Sequence, residues 1–347
     1  MEKIKIGIIG MGRMGITHFS IINSHPQVQV CAVADTSDLL LDVLHKYKPE
    51  VQIFGDYKSL IEKSGVDAII VCTPPNLHFE ICRYAAEFNL HVFCEKPFTT
   101  DPEQARELAS LFAAKKLVNQ VGYVLRFNDI FMTARKYIHD GVIGRVFRFK
   151  SEMFSNTVNK PQKGGNWRSK RENGGGVTYE MGSHAIDLLH YMLGSPEKII
   201  GSSMNQVYSV DVEDIVSTTL LYKNDVSGTI YVNWCDESFR KPSNKLEFWG
   251  DKGKLLADQH GMKLFLKDDN AELNFRKGWN TIHITDVYHP TPFYVRGGEF
   301  TRQLYHFADT ILGKENDLVC NFEDGYNSQH VIHAIFNDFT GNKGYQK

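Results

Sequence analysis

The sequence predicts an α/β protein in which a doubly wound parallel sheet is followed by an α/β domain with a large, mostly antiparallel open sheet. Three observations predict it. Apolar strand-like runs alternate with helical patterns through residue 122. A glycine-spaced turn, GMGRMG, follows the first of those runs. Beyond residue 123, strand-like runs follow one another with few helices between them. Strict alternation builds a parallel sheet covered on both faces, whereas runs in succession build an antiparallel one.

In the first part, strands are expected at 4–10, 28–35, 51–54, 67–73, 91–96 and 116–123, and helices at 13–24, 37–48, 76–88 and 102–115. Asp101 suits the N-cap of the last of these helices and Pro102 its first turn. In the second part, strands are expected at 145–154, 199–208, 215–222, 226–234, 244–250, 252–258 and 262–266. Helices are expected at 128–140, 176–193, 298–312 and 322–339. Several of these strands alternate apolar and polar residues, the pattern of a sheet with one covered face. The expected domains are 1–122 and 123–347.

A chain of 347 residues suits about two domains. Its 42% hydrophobic and 23% charged content is ordinary for a soluble enzyme. A formal net charge of −2 argues against nucleic-acid or membrane-surface partners. No run approaches the ~18 apolar residues of a membrane span. The N-terminal apolar run turns into glycines before it reaches the length of a signal peptide core. Cys31, Cys72, Cys82, Cys94, Cys235 and Cys320 form no CxxC pair, so free thiols in a reducing cytoplasm are expected, and no metal site.

The glycine turn carries the first chemistry. A strand precedes it, a helical pattern follows it, and Asp35 closes the second strand, the three parts of a dinucleotide-binding fingerprint. Gly10 permits the tight turn, Gly12 lets the backbone approach a pyrophosphate, and Gly15 lets helix and strand pack closely. The helix start offers N–H groups to phosphate. The first domain therefore reads as an N-terminal Rossmann doubly wound parallel sheet. Asp35 can accept from both ribose hydroxyls and repels a 2′-phosphate, so NAD is the expected cofactor, with NADP the alternative because Thr36 and Ser37 follow.

Lys96, in CEKPF, stands at the end of the fifth long strand, and in open α/β sheets ligands bind outside the carboxyl ends of strands. At ~100° per residue, Glu180, His184 and Asp187 fall within about 60° of arc and Tyr191 extends the stripe. A carboxylate–imidazole ladder suits a general base. A solvated polar helix face and a metal pair through Glu180 and His184 are the alternatives. Lys160, Lys163, Arg168, Lys170 and Arg171, interleaved with glycines and Trp167, suggest a loop for an anionic ligand. A solvated basic loop is the other reading.

With these pieces in place, the sequence resembles the Gfo/Idh/MocA oxidoreductase family. The resemblance rests on the glycine fingerprint, TPPNLH at 73–78, EKP at 95–97 and GGG…GSHAID at 174–187. It implies NAD(P)-dependent oxidation of a secondary alcohol on a sugar or cyclitol, with an open sheet that mediates assembly, here as a homodimer or homotetramer. Lys96 corresponds to the family's active-site lysine and His184 to its catalytic histidine. Glu180 stands where the family commonly has aspartate, one methylene shorter. Arg13, Met14, Thr73, Pro74, Asn76, His78 and Glu95 fall on the cofactor side. Tyr123 and Arg126 fall near nicotinamide and substrate, joined on the substrate side by Trp167, Arg168, Arg171 and Asp187. The NWRSKRENGGG run resembles members acting on nucleotide-linked sugars or sugar acids. The resemblance implies that Lys96 and His184 serve one nicotinamide, with Glu180 orienting the imidazole. A non-catalytic dinucleotide-binding regulator and a sugar–sugar oxidoreductase with tightly held cofactor are the rival functions.

Overall fold

The computed structural model describes residues 3–161 and 167–342. The first sheet is six-stranded, in the order β3-β2-β1-β4-β5-β6, and every pair in it is parallel. Its strands are β1 (Ile4–Ile9), β2 (Val28–Ala34), β3 (Gln52–Phe54), β4 (Ala68–Val71), β5 (His91–Cys94) and β6 (Asn119–Val121). β1, β2, β4 and β5 are nearly continuous runs of buried residues, as strands covered on both faces must be. The connecting helices are α1 (Arg13–Ile22), α2 (Asp38–Tyr47), α3 (Tyr57–Lys63), α4 (His78–Glu87) and α5 (Pro102–Lys115). Asp101 caps α5 by accepting from Glu103 N at 2.7 Å. α3 has no counterpart in the sequence reading. Seven residues are too few for a helical period to emerge, and its clearest mark is the Asp56 cap, which accepts from Ser59 N at 2.8 Å.

The second sheet has eight strands in the order β14-β13-β12-β11-β7-β10-β9-β8. They are β7 (Val146–Phe154), β8 (Lys198–Asn205), β9 (Ile215–Leu221), β10 (Ser227–Asn233), β11 (Ser243–Gly250), β12 (Gly253–Asp258), β13 (Gly261–Leu266) and β14 (Gly278–His283). Only the β7–β10 pair is parallel. Helices α6 (Asp129–His139), α7 (Ser183–Leu193) and the short α8 (Ile284–Val287) accompany this sheet, followed by α9 (Gly298–Ile311) and α10 (Phe322–Asn342). β9 and β10 alternate buried and half-buried residues without a break. The buried positions, among them Phe149, Val216, Ile230, Leu246 and Leu255, pack with Ile130 of α6, Leu188 and Leu189 of α7 and Ile332 of α10. The opposite face carries Tyr231, Phe265 and the exposed Trp279.

The chain forms two compact units, Met1–Val124 with Pro290–Tyr326 and Leu125–His289 with Asn327–Lys347. The sequence reading put everything after residue 122 in one domain, whereas the segment Pro290–Tyr326 returns to the first unit. Leu304, Phe307 and Ala308 of α9 are buried in the same core as Ile6, Ile8 and Phe93. All six cysteines are free thiols, and Cys31, Cys82, Cys94 and Cys320 are buried. Among the described residues no helix is long and apolar enough to cross a membrane.

Candidate active site

In the first unit, the candidate residues gather at the carboxyl ends of parallel strands. Gly10 follows β1, Asp35 follows β2, Thr73 lies just past β4, and Lys96 lies just past β5. The glycines divide by what surrounds them. A Cβ at Gly15 would stand 1.9 Å from the Gly10 carbonyl oxygen, so this residue is needed for packing. At Gly12 nothing lies within 4 Å of that place, and the space beside the turn is open. Gly12 also caps α1 without any side-chain hydrogen bond, which leaves the first N–H groups of the helix to a ligand. Asp35 fixes the turn: its Oδ2 accepts from Met11 N at 2.5 Å and its Oδ1 from Ser37 N at 2.8 Å. Each oxygen keeps a further lone pair for a ribose hydroxyl. These features fit a dinucleotide.

Arg13 is exposed and Met14 half-buried at the start of α1. Arg296, which the sequence reading did not single out, reaches this turn from the returning segment. Its Nη1 lies 3.5 Å from Met14 Sδ and its guanidinium covers the Phe300 ring at 5.1 Å. Burial and the Arg13 charge push its pKa down, against the Glu95 carboxylate. Two cations held together beside open helix N–H groups make an anion-binding corner. No local motif marks Arg296, because its place depends on α9 packing against α1.

Thr73 Oγ1 is buried with no hydrogen-bond partner among the described residues, and Pro74 and Asn76 are exposed. His78 follows at the start of α4. Its ring is fully buried, with Nδ1 3.0 Å from Pro97 O and 3.2 Å from Phe98 O, and Nε2 2.9 Å from Thr73 O. Burial holds its pKa below the ordinary value against the pull of these carbonyls. It ties the loop after β4 to the loop that carries Lys96. Glu95 also turns inward: Oε1 meets His18 Nε2 at 2.6 Å and Oε2 accepts from Lys96 N at 3.0 Å. Lys96 itself is half-buried, with a cis peptide to Pro97, and Tyr123 is buried.

In the second unit, the helix expected over 176–193 begins with a wider π turn at Thr178–Gly182 before α7. Such turns recur at functional sites. The change of pitch interrupts the uniform helical stripe of Glu180, His184 and Asp187. Glu213, buried among these elements, accepts from Thr178 N at 3.0 Å and fixes the start of the turn. His184 is half-buried. Glu180 Oε1 accepts from Arg168 Nε at 3.2 Å.

Asp187 and Arg126 form a buried bidentate pair. Arg126 Nε lies 3.1 and 3.0 Å from the two carboxylate oxygens and Nη2 lies 2.8 Å from Oδ1. The Arg126 guanidinium also covers Tyr191 at 5.2 Å. The arginines of the basic loop stay half exposed but are paired. Arg168 stacks on Trp167 at 4.7 Å, and Arg171 donates to Glu213 at 3.0 Å and covers Phe336. Lys160 and Lys170 are exposed, and Lys163 and Asn166 lie outside the described residues. Among the described residues no cluster of acidic, histidine or cysteine side chains could hold a metal.

Comparison with known proteins agrees with this architecture. Residues 4–123 match the model of an oxidoreductase family with an NAD-binding Rossmann fold, and residues 131–256 match that of a GFO/IDH/MocA C-terminal domain. An uncharacterised oxidoreductase of Schizosaccharomyces pombe is 28% identical over 228 residues, 64% of this chain and 61% of the relative. The chain thus spans about three fifths of that relative's length. Inositol 2-dehydrogenase of Rhizobium meliloti is 29% identical over 259 residues, 74% of this chain and 76% of the relative. The solved structure of a levoglucosan dehydrogenase in complex with NADH and L-sorbose superposes with a TM-score of 0.86 at 22% identity. It covers 98% of this chain and 97% of its own, a likeness of fold.

Proposed function

The chain belongs to the Gfo/Idh/MocA oxidoreductase family, and on that premise we propose that it transfers a hydride between a secondary alcohol of a sugar or cyclitol and NAD. The observation that carries the reading is the alignment of the Gly10–Gly15 turn, Asp35, Thr73 and Lys96 along the carboxyl ends of one parallel sheet. NAD, when bound, accepts or returns the hydride. Gly12, Arg13 and the first N–H groups of α1 would hold its pyrophosphate and Asp35 its ribose hydroxyls. The relatives named for inositol and levoglucosan support a polyol-like substrate.

His184 takes the hydroxyl proton as a general base. Lys96 donates a hydrogen bond to the reacting oxygen and stabilises the charge that develops there. Glu180, held by Arg168, keeps an acid beside the start of α7. The open face of the eight-stranded sheet is the proposed surface for a homodimer or homotetramer, which light scattering on a size-exclusion column reads directly.

The test is a screen of sugars, cyclitols and nucleotide sugars with NAD and with NADP, followed by the absorbance of the reduced cofactor. On the substrate found, His184→Ala and Lys96→Ala lose about 10²–10⁴ in turnover. Both keep NADH binding. Full turnover in both variants refutes the assignment.

A further inference from the structure

Behind Lys96 lies a buried pair that the mechanism above does not use. His18 is fully buried on the inner face of α1, packed edge-on against Phe93 with centroids 5.3 Å apart. Its Nε2 meets Glu95 Oε1 at 2.6 Å, and its Nδ1 is buried with no partner among the described residues. The shared proton therefore sits on Nε2, and the ring donates to the carboxylate. The other oxygen, Oε2, accepts from the backbone N–H of Lys96 at 3.0 Å. A buried pair of this kind is a weak source of stability. Room for it is made by Gly122, where a Cβ would stand 2.9 Å from Glu95 Oε2.

We propose that His18 and Glu95 are a positioning pair for Lys96: the imidazole fixes the carboxylate, and the carboxylate fixes the main chain from which the lysine reaches its substrate. Glu95 is then not a cofactor ligand, since both its oxygens are held inside the unit. Burial alone raises its pKa, but His18 and the Lys96 charge outweigh burial and hold it below the ordinary value, so the acceptor persists through neutral pH. The proposal rests on the dehydrogenase reading for its kinetic consequence and on the geometry alone for its structural one.

The experiment compares Glu95→Ala, Glu95→Gln, His18→Ala and Gly122→Ala. The last crowds the carboxylate while leaving both residues of the pair in the sequence. Steady-state kinetics, NADH affinity by fluorescence, and the ¹³C signal of reductively methylated Lys96, assigned with Lys96→Arg, are recorded. Glu95→Ala, His18→Ala and Gly122→Ala are expected to lose about 10- to 10²-fold in kcat, the scale of a misplaced catalytic group. NADH affinity stays within about threefold, and the Lys96 signal moves toward its random-coil position. Glu95→Gln restores kcat to within about fivefold, because its carbonyl accepts from Lys96 N–H and its amide donates to Nε2 once the ring proton has moved to Nδ1. Three results overturn the proposal: wild-type kcat and Lys96 signal in Glu95→Ala, a Glu95→Gln as impaired as Glu95→Ala, or a loss confined to NADH affinity. If the wild-type protein oxidises no alcohol, the functional reading fails, and the Lys96 signal still decides whether the pair orders that residue.

Discussion

Replacing Asp187 with alanine separates a structural role from a substrate role. Asp187 and Arg126 are 1% and 4% exposed and share three hydrogen-bond distances between 2.8 and 3.1 Å. Removing the carboxylate leaves the guanidinium buried without its partner anion, a change that costs about 3–5 kcal/mol. At about 2–4 °C per kcal/mol for a domain of this size, the melting transition falls by about 6–20 °C. Replacing both residues, as Arg126→Met with Asp187→Leu, removes the stranded charge and recovers most of the loss, because apolar side chains of similar volume often match a buried pair. Differential scanning calorimetry of the wild type, Asp187→Ala and the double variant reads all three values. An Asp187→Ala melting temperature within about 2 °C of wild type, paired with a large rise in KM, returns Asp187 to the substrate and refutes the reasoning.

Other outcomes follow from single observations. Gly12→Ala meets no atom within 4 Å. It keeps the wild-type melting temperature but weakens NADH binding by about tenfold or more, ~1.4 kcal/mol, as measured by fluorescence titration. Arg296→Ala, which removes one cation from the corner beside Met14, weakens NADH binding by about three- to tenfold and flattens its dependence on salt. Asp214 is buried. Burial raises its pKa, but hydrogen bonds from the Ser209 hydroxyl and N–H, the Trp234 indole and Tyr208 N–H outweigh it and hold the pKa low. The stability it contributes is complete above its unfolded pKa of about 3.9 and is lost as pH falls through the lower folded value. Asp214→Asn is therefore less stable than wild type at pH 7. The difference in calorimetric melting temperature shrinks below about pH 4, and a constant gap from pH 7 to pH 2 contradicts the assignment.

The parallel sheet was legible because each of its main strands is buried on both faces and stands out as an apolar run, as IKIGII and VQVCAVA do. β14, GWNTIH, has no counterpart in the sequence reading, because only Ile282 in it is buried. The amphipathic pattern of α9 was visible, but periodicity says that a helix has a buried side and not which core receives it. Leu304, Phe307 and Ala308 joined the first unit's core, some 200 residues away in sequence from Phe93. The glycine turn and Lys96 were legible because a strand end and a spacing define them locally. Arg296 was not, because only the return of α9 to α1 brings it to Met14.

The same distinction explains where the polar residues ended up. Arg168 finds Glu180 across 12 positions, Arg171 finds Glu213 across 42, Arg126 finds Asp187 across 61, and His18 finds Glu95 across 77. In a linear sequence each of these charges looks available to a ligand. Arg126 and His18 are buried, where a charge without a partner costs far more than an exposed one, whereas Arg168 and Arg171 pair with their acids while staying half exposed. The basic loop is the case with a functional consequence. Of its cations, Arg168 and Arg171 are held by acids of their own unit, while the exposed Lys160 and Lys170 are point charges without the bidentate geometry that recognises a phosphate or carboxylate. The carboxylates of Glu180 and Glu213 offset part of the attraction that these arginines would exert on an anionic sugar. A neutral polyol requires no such attraction, and for that reason the uncharged sugars and cyclitols are the first arm of the substrate screen.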